Sequence, residues 1–349
     1  MSTKPRAPSK GATAPSTANG HRDARRQVAE LQRSRLLTAM VQEVAERGAA
    51  NVSVAHVVGR SGVSRRTFYE IFDDREDCFL ATFEDALAGV ARVVAPAYER
   101  PGSWRVRIRA ALIALLECLE RDRATARLLI VESLAAGPRA LQRRQQVIVS
   151  LASVVELGRV EAKSKLDPPA LTAEAIVGGL LSVLHTRLVT GLDSEIRTPD
   201  VREAAAKSSM LELAGPLMGM IVFPYLGPLA ARKEMERPVP RSDGENRPVL
   251  RTDPLQDLPM RLTYRTMRVL IAVAELGGQA AHPSNRAVGE HAGIADQGQA
   301  SKLLARLHKL GLIENNGGDP ARGEPNAWTL TTTGQQVHDS IARLEKRAS

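Results

Sequence analysis

Apolar residues recur at helical spacing between Asp74 and about Pro228, and this pattern constrains the fold more than any other feature of the sequence. One such apolar face is formed by Ile108, Leu112, Leu115, Leu116 and Leu119. Turn-forming residues interrupt the pattern at 96–103, 137–138, 167–169 and 191–200. The segment has no run of alternating apolar and polar residues, the pattern typical of a half-buried strand. The sequence therefore predicts an all-α core of about five or six helices over residues 74–228.

A shorter unit, in which capping and turn residues mark the ends of the helices clearly, precedes this core. A helical pattern ends near Gly48, Ser53 is a predicted N-cap of a short second helix, and Ser64 is a predicted N-cap of a third. Between the second and third helices lies the turn Gly62-Val63, where glycine suits a backbone with φ > 0 and valine can anchor the turn in a core. The sequence thus predicts two short helices joined by a tight turn.

The residues around this turn resemble the helix-turn-helix of the tetracycline-repressor (TetR/AcrR) family. The resemblance lies in the Gly-Val-Ser turn at 62–64, the Thr-Phe-Tyr run at 67–69, Phe72, and the basic-acidic pair Arg75-Glu76. Arg75 stands where the family usually has lysine, and Arg66 where a small residue is common. The resemblance implies a DNA-binding domain over 21–73 and a helical ligand-binding and dimerisation domain over 74–228, although the second segment contributes no motif.

Outer side chains of such a motif reach base edges, while its surroundings hold phosphates. The side chains predicted to face inward are Phe68, Ile71 and Phe72. Arginine can pair with guanine, and threonine or tyrosine hydroxyls can hold phosphate. The resemblance assigns phosphate contacts to Thr67, Tyr69 and Arg75. The predicted DNA contacts are Ser53, Ser64, Arg65, Arg66, Thr67, Tyr69 and Arg75.

The last part of the chain, 258–349, has a different order of elements. Helical patterns cover 262–276, 284–291 and 296–310. Strand-like runs cover 312–314 and 328–331, with a Gly/Pro/Asn-rich loop between them and a closing helix after Gly334. Three helices and a β-hairpin follow the order of a winged helix, and the segment Ala300 to Glu314 is similar to winged-helix domains of the MarR-like kind. The predicted fold class is therefore mainly all-α, with a small β-hairpin in a C-terminal winged helix.

This C-terminal unit offers a possible second set of DNA contacts. They are Gln297, Gln299, Ser301, Lys302 and Arg306 on or beside the third helix, and Arg322 in the wing. The net charge of the unit is only +3, which does not establish contact with DNA. Three roles stay open, namely a second DNA reader, a dimer or partner-protein interface, and a ligand-responsive unit.

The formal net charge of +9 at pH 7 indicates a polyanionic partner, and much of the excess lies near the amino terminus. Residues 1–20 are rich in Ser, Thr, Ala and Pro and are predicted to be disordered. The adjacent Arg22, Arg25 and Arg26 either follow DNA into a neighbouring groove or form a solubilising tail. Prolines alternate with charges over 229–257, which predicts an extended linker.

The sequence disfavours enzymes, metal proteins and membrane proteins. It carries no phosphate-binding loop, nucleophile elbow or His-Glu-x-x-His motif, and its histidines lack zinc-site spacing, so no cofactor or metal is expected. Cys78 and Cys118 are predicted to be buried structural thiols in a reducing cytoplasm. The most apolar stretch, 210–231, is interrupted by Glu212 and three prolines, which favours a buried helix with a proline-rich exit over a membrane span.

These observations predict a bacterial, cytoplasmic, nucleoid-associated transcriptional regulator. It is expected to bind a palindromic double-stranded operator as a homodimer, with dimer contacts over 174–191 and 200–226, and to act as a repressor released by a small-molecule inducer. Few aromatic residues lie in the core, so an aliphatic or mixed pocket is expected; the ligand and its binding residues are not identified. The alternatives are an architectural, non-specific DNA-binding protein and a protein-interaction adaptor.

Overall fold

The computed structural model describes residues 17–162, 168–190, 209–239, 264–277, 283–317 and 326–339. The chain divides into two compact units; the larger comprises residues 35–253, and the smaller combines residues 1–34 with residues 254–349. The described part is mainly helical, as predicted, and contains a two-stranded antiparallel sheet.

Helix α1 (Thr17–Arg47) contributes residues to both units. Val28 and Leu31 are buried in the core of the smaller unit, whereas Leu36 and Met40 are buried in the larger one. The helix therefore presents apolar side chains to two different cores along its length, which its pattern of apolar residues alone did not indicate.

The start of α1 corrects the prediction for the amino-terminal tail. Residues 17–20 were expected to be disordered, but they form the first turn of a helix whose later turns are fixed by burial. Residues 1–16 lie outside the described residues. Arg22, Arg25 and Arg26 lie within the same helix, and Arg26 is exposed.

The amino-terminal part of the larger unit is built around its own apolar cluster. It contains the second half of α1, α2 (Val54–Ser61), α3 (Arg65–Ile71) and the start of α4 (Arg75–Tyr98). The largest buried side chains in this cluster are Leu36, Leu37, Met40, Phe68, Phe72, Phe79 and Phe83.

In the residues that the structure describes, the remainder of the larger unit is an all-helical core, as predicted. Its helices are α5 (Trp104–Arg121), α6 (Arg123–Ile130), α7 (Pro138–Glu156), α8 (Thr172–Thr190), α9 (Ala214–Leu226) and α10 (Pro228–Glu236). Tyr225 is fully buried, its ring lies 5.4 Å from that of Trp104, and its hydroxyl donates to Glu156 at 3.0 Å. This hydrogen bond satisfies the one polar atom of a large buried aromatic side chain.

Helix α10 corrects the predicted linker. Residues 229–236 were expected to be extended, but Pro228 occupies the first helical position, where its fixed φ favours a helix. Buried Arg109 holds the end of this helix by donating to Glu234 Oε2 at 3.0 Å and to the Arg237 carbonyl at 2.8 Å. A long-range contact therefore overrides the local signals of the prolines, while residues 240–257 of the predicted linker lie outside the described residues.

One described helix, α8, is long and apolar enough to cross a membrane by length and composition alone. Five of its side chains, Ala173, Ile176, Val177, Leu184 and Leu188, are buried in the core. The stretch that the sequence singled out instead, around Met210–Leu226, is shorter and forms a largely buried helix, as expected.

The described part of the smaller unit contains α11 (Tyr264–Gly277), α12 (Asn285–His291), α13 (Gln297–Lys309), β1 (Ile313–Asn315), β2 (Trp328–Leu330) and a helix over 332–339, α14. The strands are antiparallel, with Glu314 opposite Thr329. The side chain of Ser284 caps α12 by accepting a hydrogen bond from the Ala287 amide. Three helices followed by a hairpin agree with the predicted order; the winged-helix assignment stays a prediction.

Candidate nucleic-acid interface and ligand cavity

The turn between α2 and α3 has the geometry predicted from the sequence. Gly62 has φ of 65°, in the left-handed region that glycine occupies without a steric penalty, and its amide donates to the Val58 carbonyl. Val63 is only 4% exposed and anchors the turn in the apolar cluster. The turn thus fixes the direction in which α3 leaves α2.

Both predicted N-caps are formed. Ser53 Oγ accepts from the His56 amide at 3.3 Å, and His56 Nδ1 accepts from the Ser53 amide at 3.2 Å. Ser64 Oγ accepts from the Thr67 amide at 3.1 Å and lies 2.8 Å from Thr67 Oγ1. Because the Ser64 and Thr67 hydroxyls share one hydrogen between them, the other hydroxyl hydrogen can be donated to a phosphate oxygen.

The outer face of α3 carries arginine and tyrosine side chains over an aromatic base. Arg65, Arg66 and Tyr69 are exposed, the last by 50%. Beneath them Phe68 is fully buried and Phe72 is 4% exposed, while the predicted inward residue Ile71 is half-buried. We call Ser64, Arg65, Arg66, Thr67 and Tyr69 the α3 face. It combines guanidinium and hydroxyl donors on a helix that the buried phenylalanines hold in place.

Arg66 on the α3 face has a weak internal partner. Its Nε lies 2.9 Å from Glu70 Oε1, and the two side chains are 90% and 56% exposed. An exposed i,i+4 ion pair contributes well under 1 kcal/mol. A guanine edge or phosphate can therefore displace Glu70 at little cost.

Arg75, a predicted phosphate contact, forms two hydrogen bonds inside the protein. Its guanidinium is half-buried and donates to the carbonyls of Ala49 and Ala136, the latter at 3.3 Å. Through these two bonds Arg75 links the amino-terminal helices to the helical core, and the guanidinium retains further N–H donors. The sequence could not reveal this, because Ala136 is distant along the chain.

Further contacts cross the same joint. Glu132 Oε2 accepts from the Ala49 amide at 2.8 Å, and Arg139 Nη2 pairs with Asp74 at 2.7 Å. A hydrogen bond from the Asp77 backbone, together with the charge of Arg139, lowers the pKa of the Asp74 carboxyl despite partial desolvation. The joint is therefore polar and formed by side chains that the sequence analysis did not single out.

A cavity of about 580 Å³ lies inside the helical core, within the roughly 300–1,000 Å³ range of small-molecule sites. Its wall comes from α4 to α9 and is mostly aliphatic. Representative lining residues are Val90, Val94, Ile108, Leu112, Leu115, Leu129, Ile148, Leu180, Leu184 and Ile221. This agrees with the expected aliphatic or mixed pocket. Polar members of the wall are Tyr98, Arg143, Arg144 and Ser150.

Some of the candidate DNA contacts in the smaller unit are exposed, and others form hydrogen bonds inside the unit. Gln297, Lys302 and Arg306 on α13 are exposed. By contrast, Gln299 accepts from Arg265 at 2.7 Å, and Ser301 Oγ accepts from Asn285 at 3.0 Å. Ser301 is thus part of an internal hydrogen-bond network, and Arg322 lies outside the described residues.

Both cysteines are buried free thiols, as predicted, and burial raises the pKa of the Cys118 thiol. Among the described residues, no group of three or more His, Cys, Asp or Glu side chains is arranged to hold a metal ion.

Solved structures resemble part of the chain at low sequence identity. The fatty acid degradation regulator FadR from Bacillus halodurans is 14% identical with a TM-score of 0.44, covering 55% of this chain and 94% of that one. The transcriptional regulator FadR from Bacillus subtilis, solved with stearoyl-CoA, is 16% identical with a TM-score of 0.43, covering 54% and 97%. A TetR family transcription regulator from Marinobacter aquaeolei VT8 is 24% identical with a TM-score of 0.40, covering 55% and 97%.

No curated protein matches the sequence. The amino-terminal helices, however, match a known family: residues 36–82 fit the family described as "Bacterial regulatory proteins, tetR family". The match contains α2, the turn and α3, and it confirms the resemblance that the sequence indicated. The family match is therefore confined to the amino-terminal helices, residues 36–82.

Proposed function

We propose that the chain is a DNA-binding transcriptional regulator that reads its operator with the α3 face. The observation that carries this proposal is the exposure of Arg65, Arg66 and Tyr69 on one short helix within the matched tetR segment, above fully buried Phe68. Arginine can donate two hydrogen bonds to guanine, while the Tyr69, Ser64 and Thr67 hydroxyls hold phosphates. In this proposal α3 enters the major groove.

The regulator acts as a homodimer on a palindromic operator. Met220 and Phe223 on α9 support this assembly, because these two apolar side chains are 40% and 55% exposed on an apolar helix. A two-fold axis through this surface would bury both residues against their copies and present two α3 faces to successive half-sites. Phe223→Asp should shift the sedimentation of the protein from dimer to monomer, whereas Val160→Asp, at an 84% exposed site elsewhere, should leave it unchanged.

The cavity holds a small-molecule inducer, whose binding releases the operator. Leu129 and Ile130 line the cavity and are followed by Glu132, which bonds the Ala49 amide next to α2. A ligand that shifts this segment therefore acts on the position of the amino-terminal helices. This makes the protein a ligand-released repressor, and its place of action is the nucleoid of the bacterial cytoplasm.

The smaller unit is a winged helix that adds a second DNA contact through α13. Exposed Gln297, Lys302 and Arg306 support this role. Replacing Lys302 and Arg306 with Ala should weaken operator binding and reduce its salt dependence, because phosphate contacts displace counterions. Unchanged affinity would favour a dimer, partner-protein or ligand-responsive role for the unit.

The first test compares binding of the full chain to its own upstream intergenic DNA and to a random duplex of equal length, at near-physiological salt. A site-specific regulator should prefer the upstream DNA by several hundred-fold. Arg65→Ala with Arg66→Ala should reduce specific binding by at least about tenfold, since a bidentate arginine–guanine contact contributes roughly 1–3 kcal/mol. Arg123→Ala is the matched control at an exposed arginine on α6.

The result separates the proposal from its alternatives. Equal, salt-sensitive binding to the upstream DNA, to the random duplex and to genome-wide selected fragments indicates an architectural DNA-binding protein. Absence of binding to all of them indicates an adaptor. Normal specific binding by the double arginine variant contradicts the assignment of the α3 face.

A further inference from the structure

The wall of the cavity contains a cation without an internal counter-charge. Arg144 lines the cavity, is half-buried, and has no hydrogen-bond or ion-pair partner in the described part of the chain. Its neighbour Arg143 differs, because its guanidinium forms a bidentate pair with Glu84, with 3.1 Å between Nη2 and Oε2. Of these two arginines, Arg144 is therefore the one that is free to bind a ligand.

Burial of this guanidinium is costly because a cation loses water without gaining an anion. Desolvation lowers the pKa of the Arg144 guanidinium. Arginine nevertheless stays protonated at neutral pH. The cavity thus keeps a positive charge beside aliphatic residues such as Val147 and Ile148.

A second polar group of the wall is also unsatisfied. The hydroxyl of Tyr98 is buried and lacks a hydrogen-bond partner within the described residues. The Tyr98 ring is held in place because the Arg107 guanidinium lies 4.2 Å from its centroid and Arg107 Nε donates to the Tyr98 carbonyl at 2.9 Å. Buried hydroxyls normally have partners, so this group points to a ligand or ordered water.

We propose that the cavity takes an amphiphilic anion, with an aliphatic chain in the apolar space and a carboxylate or phosphate head group on Arg144. A neutral apolar ligand would leave the guanidinium unpaired, and a cationic amphiphile would meet like charge. The role of this anion as an inducer rests on the proposed function. Binding of the anion itself does not, since it can be measured without DNA.

Calorimetric titration of the full chain with soluble C12 amphiphiles tests the proposal. The probes are dodecanoate, dodecyl phosphate, neutral 1-dodecanol and dodecylammonium, each below its aggregation concentration. One or both anions should bind at least tenfold more tightly than the alcohol, and dodecylammonium should bind most weakly. The anion that binds more tightly identifies the head group as carboxylate or phosphate.

Variants locate the head group. Arg144→Gln should weaken anion binding roughly 10- to 100-fold, the effect of losing a charge-assisted hydrogen bond, and leave 1-dodecanol binding unchanged. Arg144→Lys should retain most of the preference for anions. Arg92→Gln, at an exposed arginine on α4 outside the cavity wall, should change nothing.

A cavity-filling variant tests the tail site independently. Ala111→Trp places a large side chain on the wall and should abolish binding of all four probes, with circular dichroism confirming that the variant folds. Anion binding that is no tighter than alcohol binding, or that is insensitive to Arg144→Gln, overturns the proposal. A failure of operator binding, in contrast, overturns only the proposed function.

Discussion

Glu132 accepts a hydrogen bond from the backbone amide of Ala49, with 2.8 Å between N and Oε2. Its other oxygen, Oε1, accepts from Arg127 Nη2 at 3.1 Å, and the residue is only 8% exposed. One buried carboxylate thus joins the segment before α2 to the end of α6, whose residues Leu129 and Ile130 line the cavity. It is a direct polar link between the wall of the candidate ligand site and the amino-terminal helices.

Replacing this carboxylate should destabilise the larger unit. Glu132→Ala leaves the Ala49 amide and the Arg127 guanidinium without their acceptor, and such a loss costs about 1–3 kcal/mol of unfolding free energy. Glu132→Gln should lose less, because one acceptor oxygen remains. Urea denaturation provides the measurement, and Glu99→Gln at an exposed site provides the control. A Glu132→Ala variant as stable as this control would contradict the structural role of the link.

Glu43 on α1 should make stability depend on pH. Burial opposes the charged form of this carboxyl, but hydrogen bonds from Arg60 and Arg47 outweigh it and lower the pKa from its ordinary value of 4.5. Since the unfolded chain then binds the proton more tightly, the ion pairs stabilise the fold above the ordinary pKa. This contribution is lost as pH falls through the lowered pKa of the folded state. Urea denaturation between about pH 3 and 7 should show it.

Glu43→Gln isolates this effect. The stability difference between the natural chain and the variant should be largest near pH 7 and shrink below about pH 4. A difference that stays constant over this range would mean that the charge of Glu43 does not contribute.

Two glycines close together in sequence should respond oppositely to alanine. Gly62 has φ of 65°, so Gly62→Ala strains the turn and should cost roughly 1 kcal/mol or more. Gly59 lies within α2, is exposed, and has open space where a Cβ would point. Gly59→Ala should therefore stabilise the fold by about 0.5–1 kcal/mol. Thermal unfolding of both variants checks the signs, and equal effects would contradict the backbone assignment.

Local features of the fold were predictable because their causes lie within a few residues. The caps at Ser53 and Ser64, the left-handed Gly62 and the buried Phe68 follow from side-chain chemistry and helical spacing. The outer position of Arg65 and Arg66 follows from the same spacing.

Features that depend on distant residues escaped prediction. Arg75 donates a hydrogen bond to the carbonyl of Ala136, and buried Arg109 holds α10 in place by donating to Glu234. The role of Arg144 is likewise invisible in sequence, because Glu84 pairs with the adjacent Arg143. The doublet Arg143-Arg144 within an apolar helical pattern was the available signal, but nothing local indicates which arginine is paired.

Substitution of Leu31 tests whether α1 contributes side chains to the cores of both units. Leu31 is 1% exposed in the core of the smaller unit with Met267 and Leu304, whereas Leu36 is fully buried in the core of the larger unit. Truncating a buried leucine to alanine costs about 2–5 kcal/mol, and the loss should fall on the core that the side chain occupies. Hydrogen exchange of the full-length variants reports stability helix by helix.

Leu31→Ala should accelerate exchange mainly in α11 and α13, and Leu36→Ala mainly in α2, α3 and the start of α4. The two substitutions are chemically identical and lie on the same helix, so a general weakening of α1 predicts the same exchange pattern for both. Exchange that rises in α2 to α4 for Leu31→Ala, with α11 unaffected, would contradict the shared helix. The expected result is faster exchange in α11 and α13 for Leu31→Ala and in α2 to α4 for Leu36→Ala. It would establish that the C-terminal unit depends on residues from the amino-terminal end of the chain, because Val28 and Leu31 form part of its core.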